Sequence, residues 1–185
     1  AYLYTPGVGM VDIGSLGAAH SEGLALNDSG QVTGISSIVA QGYPGHAFVY
    51  TPSAGMVDLG AFGGTGSVGF GINSSGAVTG WYRDPVSTEN RAFIYSPGGT
   101  TKFDIPSGGS DINDAGQVTG AVQDRTTGVV HAFLYTTGAG ILDLGTLGGQ
   151  NSQGEGINDS GQVAGFSLID GNTANHAFLF SPGVG

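Results

Sequence analysis

The nine residues INDSGQVAG, at positions 157–165, have three close copies earlier in the chain. The copies are LNDSGQVTG at 26–34, INSSGAVTG at 72–80 and INDAGQVTG at 112–120. Each combines an Asn-x-x-Gly group, which favours a tight turn, with a Val-containing segment typical of a strand. A motif written four times predicts a repeat protein, and residues that recur in every copy are expected to serve the fold.

A second motif marks the repeat more completely. It reads AYLYTP, AFVYTP, AFIYSP, AFLYTT and AFLFSP, and the copies begin at positions 1, 47, 92, 132 and 177. These starting points predict a single repeat domain over 1–185, with phases starting near 1, 47, 92 and 132 and a partial fifth from 177.

Each period contains four short segments with strand character. The first ends in Gly-Ile-Asn, as in SVGFGIN from position 67; the second is QVTG with the residues after it; the third is HAFLY; the fourth is MVDLG or ILDLG. Turn sequences separate the first from the second and the third from the fourth, which indicates hairpins. In the third segment Ala47 and Val49 alternate with Phe48 and Tyr50, so both faces of that strand are expected to be covered.

The sequence therefore predicts an all-β fold. The expected architecture is a β-propeller built from four four-stranded meander repeats of about 45 residues, with an extra overlapping terminal strand. A β-trefoil uses similar units but closes with three of them. A parallel β-helix would need shorter coils without alternating hairpins.

Composition limits the classes of partner. The 185 residues include 37 Gly and no Cys, and 14 acidic side chains against four basic ones give a formal charge of −10. Such an acidic chain is expected to repel nucleic acids and anionic membrane surfaces. No apolar run approaches the ~20 residues needed for membrane insertion. The absence of Cys excludes disulfides and thiolate metal sites.

Several recurrent elements in a fixed order carry a family resemblance. They are HAF at 46, 131 and 176, DLG at 58 and 143, LGG at 147, and IND-x-GQV at 112 and 157. With these elements the chain resembles the bacterial extracellular HAF-type repeat family over essentially its whole length. The resemblance implies an exported protein, extracellular or at the cell surface, and carries over no catalytic residues. The chain departs from the pattern at Ala1, which lacks a preceding His, and at Arg91, which replaces the His.

The two ends of the chain repeat one another. Residues 1–9 read AYLYTPGVG and residues 177–185 read AFLFSPGVG, so one copy of the third strand is surplus to four periods. Either the chain is a segment of a longer array, or the spare strand packs elsewhere. In the second case self-association through 1–9 and 177–185 is expected, by strand addition to an open sheet edge.

Most residues that could take part in catalysis or metal binding recur once per repeat, which favours structural roles. The histidines of HAF are expected to form hydrogen bonds at the start of the third strand, and the recurrent Asp12, Asp58, Asp104 and Asp143 to accept backbone N–H bonds in turns. His20, with Glu22 two residues on, is private to one repeat and is the alternative candidate for proton transfer or metal binding. No catalytic residue, metal site or cofactor is predicted.

The segments that break the repeat are the candidates for function. Between the second and third strands the four copies read ISSIVAQGYPG, WYRDPVSTEN, AVQDRTTGVV and FSLIDGNTAN. Trp81 is expected to pack, because it aligns with Ile35, Ala121 and Phe166, and Tyr82 to point the opposite way. Variable loops on a rigid scaffold commonly carry binding residues. The ligand-binding residues predicted on this face are Tyr43, Tyr82, Arg83, Asp84, Asn90, Gln123, Asp124, Asp170 and Asn172.

Together these patterns predict an extracellular, non-catalytic binding or adhesion module of propeller type. Its ligand would be a glycan or a peptide, held on the variable loop face, and its partner a glycan or a protein at the cell surface. The alternative is a structural protein that self-assembles through its overlapping terminal strands into a fibre or surface layer. An enzyme that uses His20 is the third hypothesis.

Overall fold

A computed structural model describes residues 1–39 and 45–183 of the chain. It confirms the all-β prediction: seventeen strands and a single 3₁₀ turn, Asp170–Asn172, make up the regular structure of these residues. The strands are short and are joined mostly by tight turns, as the repeated Asn-x-x-Gly groups led us to expect.

The strands form five antiparallel sheets, each a meander of strands consecutive in the chain. Sheet I contains β1 (Tyr2–Thr5) and β2 (Gly9–Asp12). Sheet II contains β3 (Ser21–Leu26), β4 (Val32–Ser37), β5 (Gly45–Thr51) and β6 (Gly55–Gly60). Sheet III contains β7 (Ser67–Ile72), β8 (Val78–Arg83), β9 (Asn90–Ser96) and β10 (Gly99–Lys102). Sheet IV contains β11 (Ser107–Ile112), β12 (Val118–Gln123), β13 (Val130–Thr136) and β14 (Gly140–Gly145). Sheet V contains β15 (Gly148–Ile157), β16 (Val163–Ile169) and β17 (Asn175–Phe180).

The sheets thus comprise three complete four-stranded units between two partial ones. The sequence period begins at the third strand of a unit, whereas each complete sheet begins at the first strand of a unit. Sheet I therefore holds only the third and fourth strands of a unit, and sheet V holds only the first three.

In sheets II, III and IV the third strand is covered on both faces, as predicted. Ala47 and Val49 pack in a cluster with Phe93 of sheet III, whereas Phe48 packs in a separate cluster with Ile13. Phe48, Phe93 and Phe133 are completely buried. The alternation of the strand therefore places an aromatic face against the preceding sheet and an aliphatic face against the following one.

Consecutive sheets stack closely through their first strands. β7 contacts β3, β4 and β5 of sheet II, and β11 and β15 repeat these contacts one and two sheets further on. Glycine in the first strand allows this approach: a Cβ on Gly69 would lie 2.3 Å from the Thr33 hydroxyl, and one on Gly154 would lie 2.1 Å from that of Thr119. The hydroxyl of Thr33 donates in turn to the Phe48 carbonyl at 2.7 Å.

The Asn-x-x-Gly turns link neighbouring sheets along one edge of the stack, where the first strand of each sheet turns into the second. Asn27 Nδ2 donates to the Asn73 carbonyl at 2.8 Å, Asn73 Nδ2 to the Asn113 carbonyl at 3.0 Å, and Asn113 Nδ2 to the Asn158 carbonyl at 3.0 Å. Gly161 adopts a φ of +74°, a conformation that favours glycine at this position of the turn. The repeated motif is therefore both a hairpin and a link in an inter-sheet chain, which we call the asparagine ladder.

The two ends of the stack remain uncovered. Tyr2 of sheet I is 64% exposed and Leu179 of sheet V is 67% exposed. Leu26, whose counterpart Ile72 in the next sheet is 8% exposed, is itself 57% exposed, because sheet I has no first or second strand to cover it. Among the described residues no helix is long and apolar enough to cross a membrane.

Candidate ligand-binding site

Two of the HAF histidines pair with the recurrent aspartates. His46 Nδ1 lies 2.9 Å from Asp58 Oδ1, and His131 Nδ1 lies 2.8 Å from Asp143 Oδ2. Asp58 also accepts the backbone N–H of Gly60 at 2.6 Å. The hydrogen-bonding role predicted for these His and Asp residues is confirmed: each pair joins the third strand of a sheet to its fourth.

In sheet III an arginine takes the histidine position and contacts a different partner. Arg91 Nη1 lies 3.5 Å from Asp84 Oδ2, so this side chain reaches the loop between β8 and β9 and not the fourth strand. The predicted alternative pair is exposed: His20 directly precedes β3 of sheet II, and Glu22 lies in that strand.

The loops between the second and third strands of sheets III and IV differ in sequence but share one conformation. Asp84 Oδ1 accepts the backbone N–H groups of Val86 and Ser87 at 3.0 and 2.8 Å. Asp124 Oδ1 accepts those of Thr126 and Thr127 at 2.8 and 2.7 Å. These hydrogen bonds, led by those from Ser87 and Thr127, hold the pKa values of both carboxyls below the ordinary value. Both predicted ligand-binding aspartates are therefore engaged in closing their own loops.

An ion pair joins these two loops. Arg125 Nη2 lies 2.8 Å from Glu89 Oε2, and this hydrogen bond lowers the pKa of Glu89. The loops between the second and third strands of sheets III and IV thus form a continuous rim along the edge of the stack opposite the asparagine ladder.

Trp81 lies beneath this rim in a space left by small side chains. In sheet III Trp81 pairs across the strands with Val68, whereas the equivalent pair in sheet IV is Gly108 and Ala121. A Cβ on Gly108 would lie 3.9 Å from Cδ1 of Trp81, so the lack of a side chain at Gly108 leaves room beside the indole. The partly exposed indole is the direct result of a large residue in one repeat facing two minimal residues in the next.

Three cavities meet at Trp81. One of ≈380 Å³ lies between sheets III and IV, with Asn90 and Gln123 in its wall. A second of ≈460 Å³ follows the first strands, where Phe70 and Glu155 line it. The third, of ≈480 Å³, includes Arg83. An aromatic ring bordered by a few polar groups is the usual composition of a small-molecule or saccharide site.

The polar groups around Trp81 are of mixed charge. Glu155, the amides of Asn90 and Gln123, and the guanidinium of Arg83 surround it, together with Glu89, whose charge is paired with that of Arg125. Hydrogen-bond donors and acceptors are both present, and the two carboxylates are balanced by the guanidinium groups of Arg83 and Arg125. The site therefore suits a neutral ligand rich in hydroxyl groups better than an anion.

The prediction that Tyr82 contributes a surface aromatic is wrong. Tyr82 is only 4% exposed and packs with Phe62 at a centroid distance of 6.2 Å, while Lys102 Nζ lies 5.9 Å from the centre of its ring. The alternation of β8 directs Tyr82 into the interface with sheet II and Trp81 towards sheet IV. The two neighbouring aromatics thus have the reverse of the expected exposures.

The remaining predicted binding residues divide into three groups. Arg83, Asn90 and Gln123 line the cavities at Trp81. Asp170 and Asn172 lie in the 3₁₀ turn of sheet V, where Asn172 Oδ1 accepts the Gln150 N–H at 2.8 Å, and they lie outside those three cavities. Tyr43 lies outside the described residues.

Trp81 is the residue that sequence reasoning underrated. Alignment with Ile35 and Phe166 suggested a packed side chain, but packing also depends on what the next repeat supplies. The usable signal is the third repeat, in which Gly108 and Ala121 replace larger residues at both positions of one cross-strand pair.

Comparison of the chain with protein-family models, curated proteins and solved structures gives no match.

Proposed function

We propose that this chain is an extracellular, non-catalytic binding module that holds a neutral glycan against Trp81. The observation that carries the proposal is the convergence of three cavities on one partly exposed indole, with polar side chains in their walls. In this proposal the ligand lies along the edge of the stack that carries the variable loops between the second and third strands.

The chemistry of a sugar ring suits the aromatic face of Trp81 and the polar side chains around it. One face of a pyranose carries C–H groups, which pack on a flat aromatic, while its hydroxyls both donate and accept hydrogen bonds. Asn90 and Gln123 offer planar amides that can do both, and Arg83 offers a planar donor. The formal charge of −10 disfavours sulfated or phosphorylated glycans.

We further propose that the stacked sheets are blades of a β-propeller. Support comes from the regular order of the sheets, in which the first strand of sheets III, IV and V contacts three strands of the preceding sheet. Small-angle X-ray scattering tests this arrangement: blades arranged around an axis give a curved particle, and a straight rod-like profile would contradict it. The extracellular location rests on the family resemblance, and fractionation of the producing cells tests it.

The experiment for ligand binding is a glycan array with the purified chain, followed by titration calorimetry on the best glycan. We expect Trp81→Ala to weaken binding by about 2 kcal/mol or more, roughly 30-fold in Kd, as for a central aromatic contact. The matched control is Val86→Ala, because Val86 is 91% exposed on the β8–β9 loop and lies outside the three cavities.

A second variant tests the cavities with Trp81 retained. Ala121→Phe introduces the residue type that sheet V carries at the equivalent Phe166, so the fold is expected to accept it. The added ring fills the space beside Trp81 and should abolish binding. If no glycan is retained, or if Trp81→Ala binds as well as the unmodified chain, the proposal is wrong. Retention of peptides alone would favour the peptide hypothesis.

A further inference from the structure

A cavity of ≈610 Å³ lies on sheet IV beside the loop between β12 and β13, and we call it the sheet IV cavity. Trp81 does not line it, although Gln123 lines both this cavity and one of those at Trp81. The residues of its wall that matter here are three polar ones and three apolar ones: Asp124, His131 and Asp143, and Ile105, Val122 and Val129.

The equivalent space in sheet III is filled by larger side chains. Tyr82 and Arg91 face each other across β8 and β9. The matching cross-strand pair in sheet IV is Val122 and His131. The cavity therefore exists because two large residues of one repeat are replaced by two smaller ones in the next.

A third difference removes a positive charge from the same place. Lys102 stands opposite Phe93 in sheet III, at the position that Asp143 holds opposite Phe133 in sheet IV. Lys102 Nζ lies 5.9 Å from the centre of the Tyr82 ring. Sheet III thus fills this space with an aromatic ring and two cations, whereas sheet IV has neither the ring nor these cations.

The two loops show what their carboxylates bind. The Oδ1 atoms of Asp84 and Asp124 both accept loop N–H groups, but Asp84 Oδ2 also lies 3.5 Å from Arg91 Nη1, and the Asp84 side chain is only 15% exposed. His131 instead pairs with Asp143, at 2.8 Å. Among the described residues Asp124 Oδ2 accepts no hydrogen bond, and Asp124 is exposed. Sheet III therefore supplies from its own chain a guanidinium that sheet IV lacks.

The charge around the sheet IV cavity favours a cation. Asp124 and Asp143 contribute two carboxylates, and the guanidinium of Arg125, which also lines the cavity, is already paired with Glu89 at 2.8 Å. The loop hydrogen bonds from Thr127 hold the pKa of Asp124 below its ordinary value, so this carboxyl is charged at neutral pH. The formal charge of −10 also attracts cations to the chain.

We propose that the sheet IV cavity binds an alkyl guanidinium group, with Asp124 as its main anionic partner. The planar fork of a guanidinium matches the two oxygens of a carboxylate, and the pair of Arg91 with Asp84 is the precedent within the same chain. The apolar wall of the cavity suits the alkyl stem. The group could belong to a free guanidine compound or to an arginine side chain of a peptide, and the proposal does not rest on glycan binding.

The test is a titration of the full chain with n-butylguanidine, followed by NMR at the amides of Thr126 and Thr127. We expect saturable shifts of both amides, because their N–H groups donate to Asp124. Asp124→Asn should weaken binding by about tenfold or more, since it removes a charged hydrogen-bond acceptor. The matched control is Asp84→Asn, the same change in the loop of sheet III, which should leave the affinity unchanged because Arg91 already occupies that position.

Two further variants fill the cavity and keep its carboxylates. His131→Arg introduces the residue that sheet III carries as Arg91, so the fold is expected to accept it, and the new guanidinium should take Asp124 and abolish binding. Val122→Tyr introduces the counterpart of Tyr82 and should exclude the alkyl stem. Circular dichroism spectra that match that of the unmodified chain establish that each variant is folded.

The outcomes separate specific binding from general attraction to an acidic chain. Saturable binding that is lost in Asp124→Asn and in His131→Arg, but kept in Asp84→Asn, supports the proposal. The absence of saturable shifts in the unmodified chain, or equal affinity in a folded His131→Arg variant, overturns it.

The choice of compound tests the chemistry of the ligand. Equal affinity for n-butylamine, which has the same charge and stem, would overturn the assignment of a guanidinium. Stronger binding of an acetylated and amidated Gly-Arg-Gly peptide than of n-butylguanidine would support the site and assign its ligand to an arginine of a partner protein. The reverse order would support the site and assign it to a free guanidine compound.

Discussion

At the scale of single residues, the asparagine of the INDSGQV turn has two functions that recur together. Its Oδ1 accepts backbone N–H groups within its own turn, and its Nδ2 donates to the carbonyl of the equivalent asparagine one sheet further on. The first function is visible in the sequence, because Asn-x-x-Gly is turn chemistry. The second needs the stacking distance between sheets, and it explains why Asn is retained even in INSSGAV, where Asp and Gln are not.

The inter-sheet bond of the ladder can be measured with two matched turns. Asn113 and Asn158 each accept the N–H of the Gln four residues on and donate to its Oε1, but only Asn113 also donates to another sheet, at 3.0 Å. We expect Asn113→Ala to lower the free energy of unfolding by about 1 kcal/mol more than Asn158→Ala, the usual net value of one buried hydrogen bond. Urea denaturation of both variants measures this, and equal losses would assign no stability to the ladder.

At the scale of elements, the loops of sheets III and IV differ in sequence but not in construction. DPVSTEN and DRTTGVV have little in common beyond the initial Asp and a hydroxyl three residues later. In both, the Asp carboxylate accepts two backbone N–H groups and one hydroxyl. Sequence variability at this face therefore overstates its structural variability. What differs from repeat to repeat is the surface that the loops present and the size of the residues beneath them.

These carboxylates make the two loops sensitive to acid. Asp84 and Asp124 have pKa values lowered from 3.8, mainly by the N–H groups of Ser87 and Thr127, so the folded loops favour the charged form. The stabilisation is complete above the ordinary pKa and is lost as the pH falls below 3.8 through the lowered folded values. The amide resonances of Ser87 and Thr127, followed by NMR, should therefore titrate with midpoints below 3.8.

A variant separates the two loops in this titration. Asp84→Asn keeps an oxygen acceptor but removes the charge, so the titration of the Ser87 amide should disappear while that of Thr127 is unchanged. Midpoints at or above 3.8 in the unmodified chain would contradict the stabilising role of these carboxylates.

At the scale of the whole molecule, the sheets contact one another in sequence order, and each sheet is stabilised by its neighbours. Inner sheets are covered on two faces and the end sheets on one, which is reflected in the burial of the repeated phenylalanines. Phe133 of sheet IV is fully buried, whereas Phe178 of sheet V remains partly exposed. In a stack of this kind stability is approximately the sum of unit and interface contributions.

The position of a unit in the stack should therefore decide the cost of an identical substitution. We expect Phe133→Ala to destabilise the chain by about 3–5 kcal/mol, the usual range for a fully buried phenylalanine, and Phe178→Ala by less than half as much. Thermal and urea denaturation of the two variants measures both losses. Equal losses would mean that sheet V is as well covered as sheet IV.

The sequence by itself determined the repeat, the four-stranded meander, the two-faced burial of the third strand and the structural role of the recurrent His and Asp. These are properties of alternation and turn chemistry within one unit, and neighbouring residues in the chain are sufficient to specify them. The exposure of Trp81 and the burial of Tyr82 were decided only by the tertiary structure. Each depends on which side chains the adjacent sheet supplies, because a residue at an interface between units is buried or exposed by its neighbour and not by its own strand.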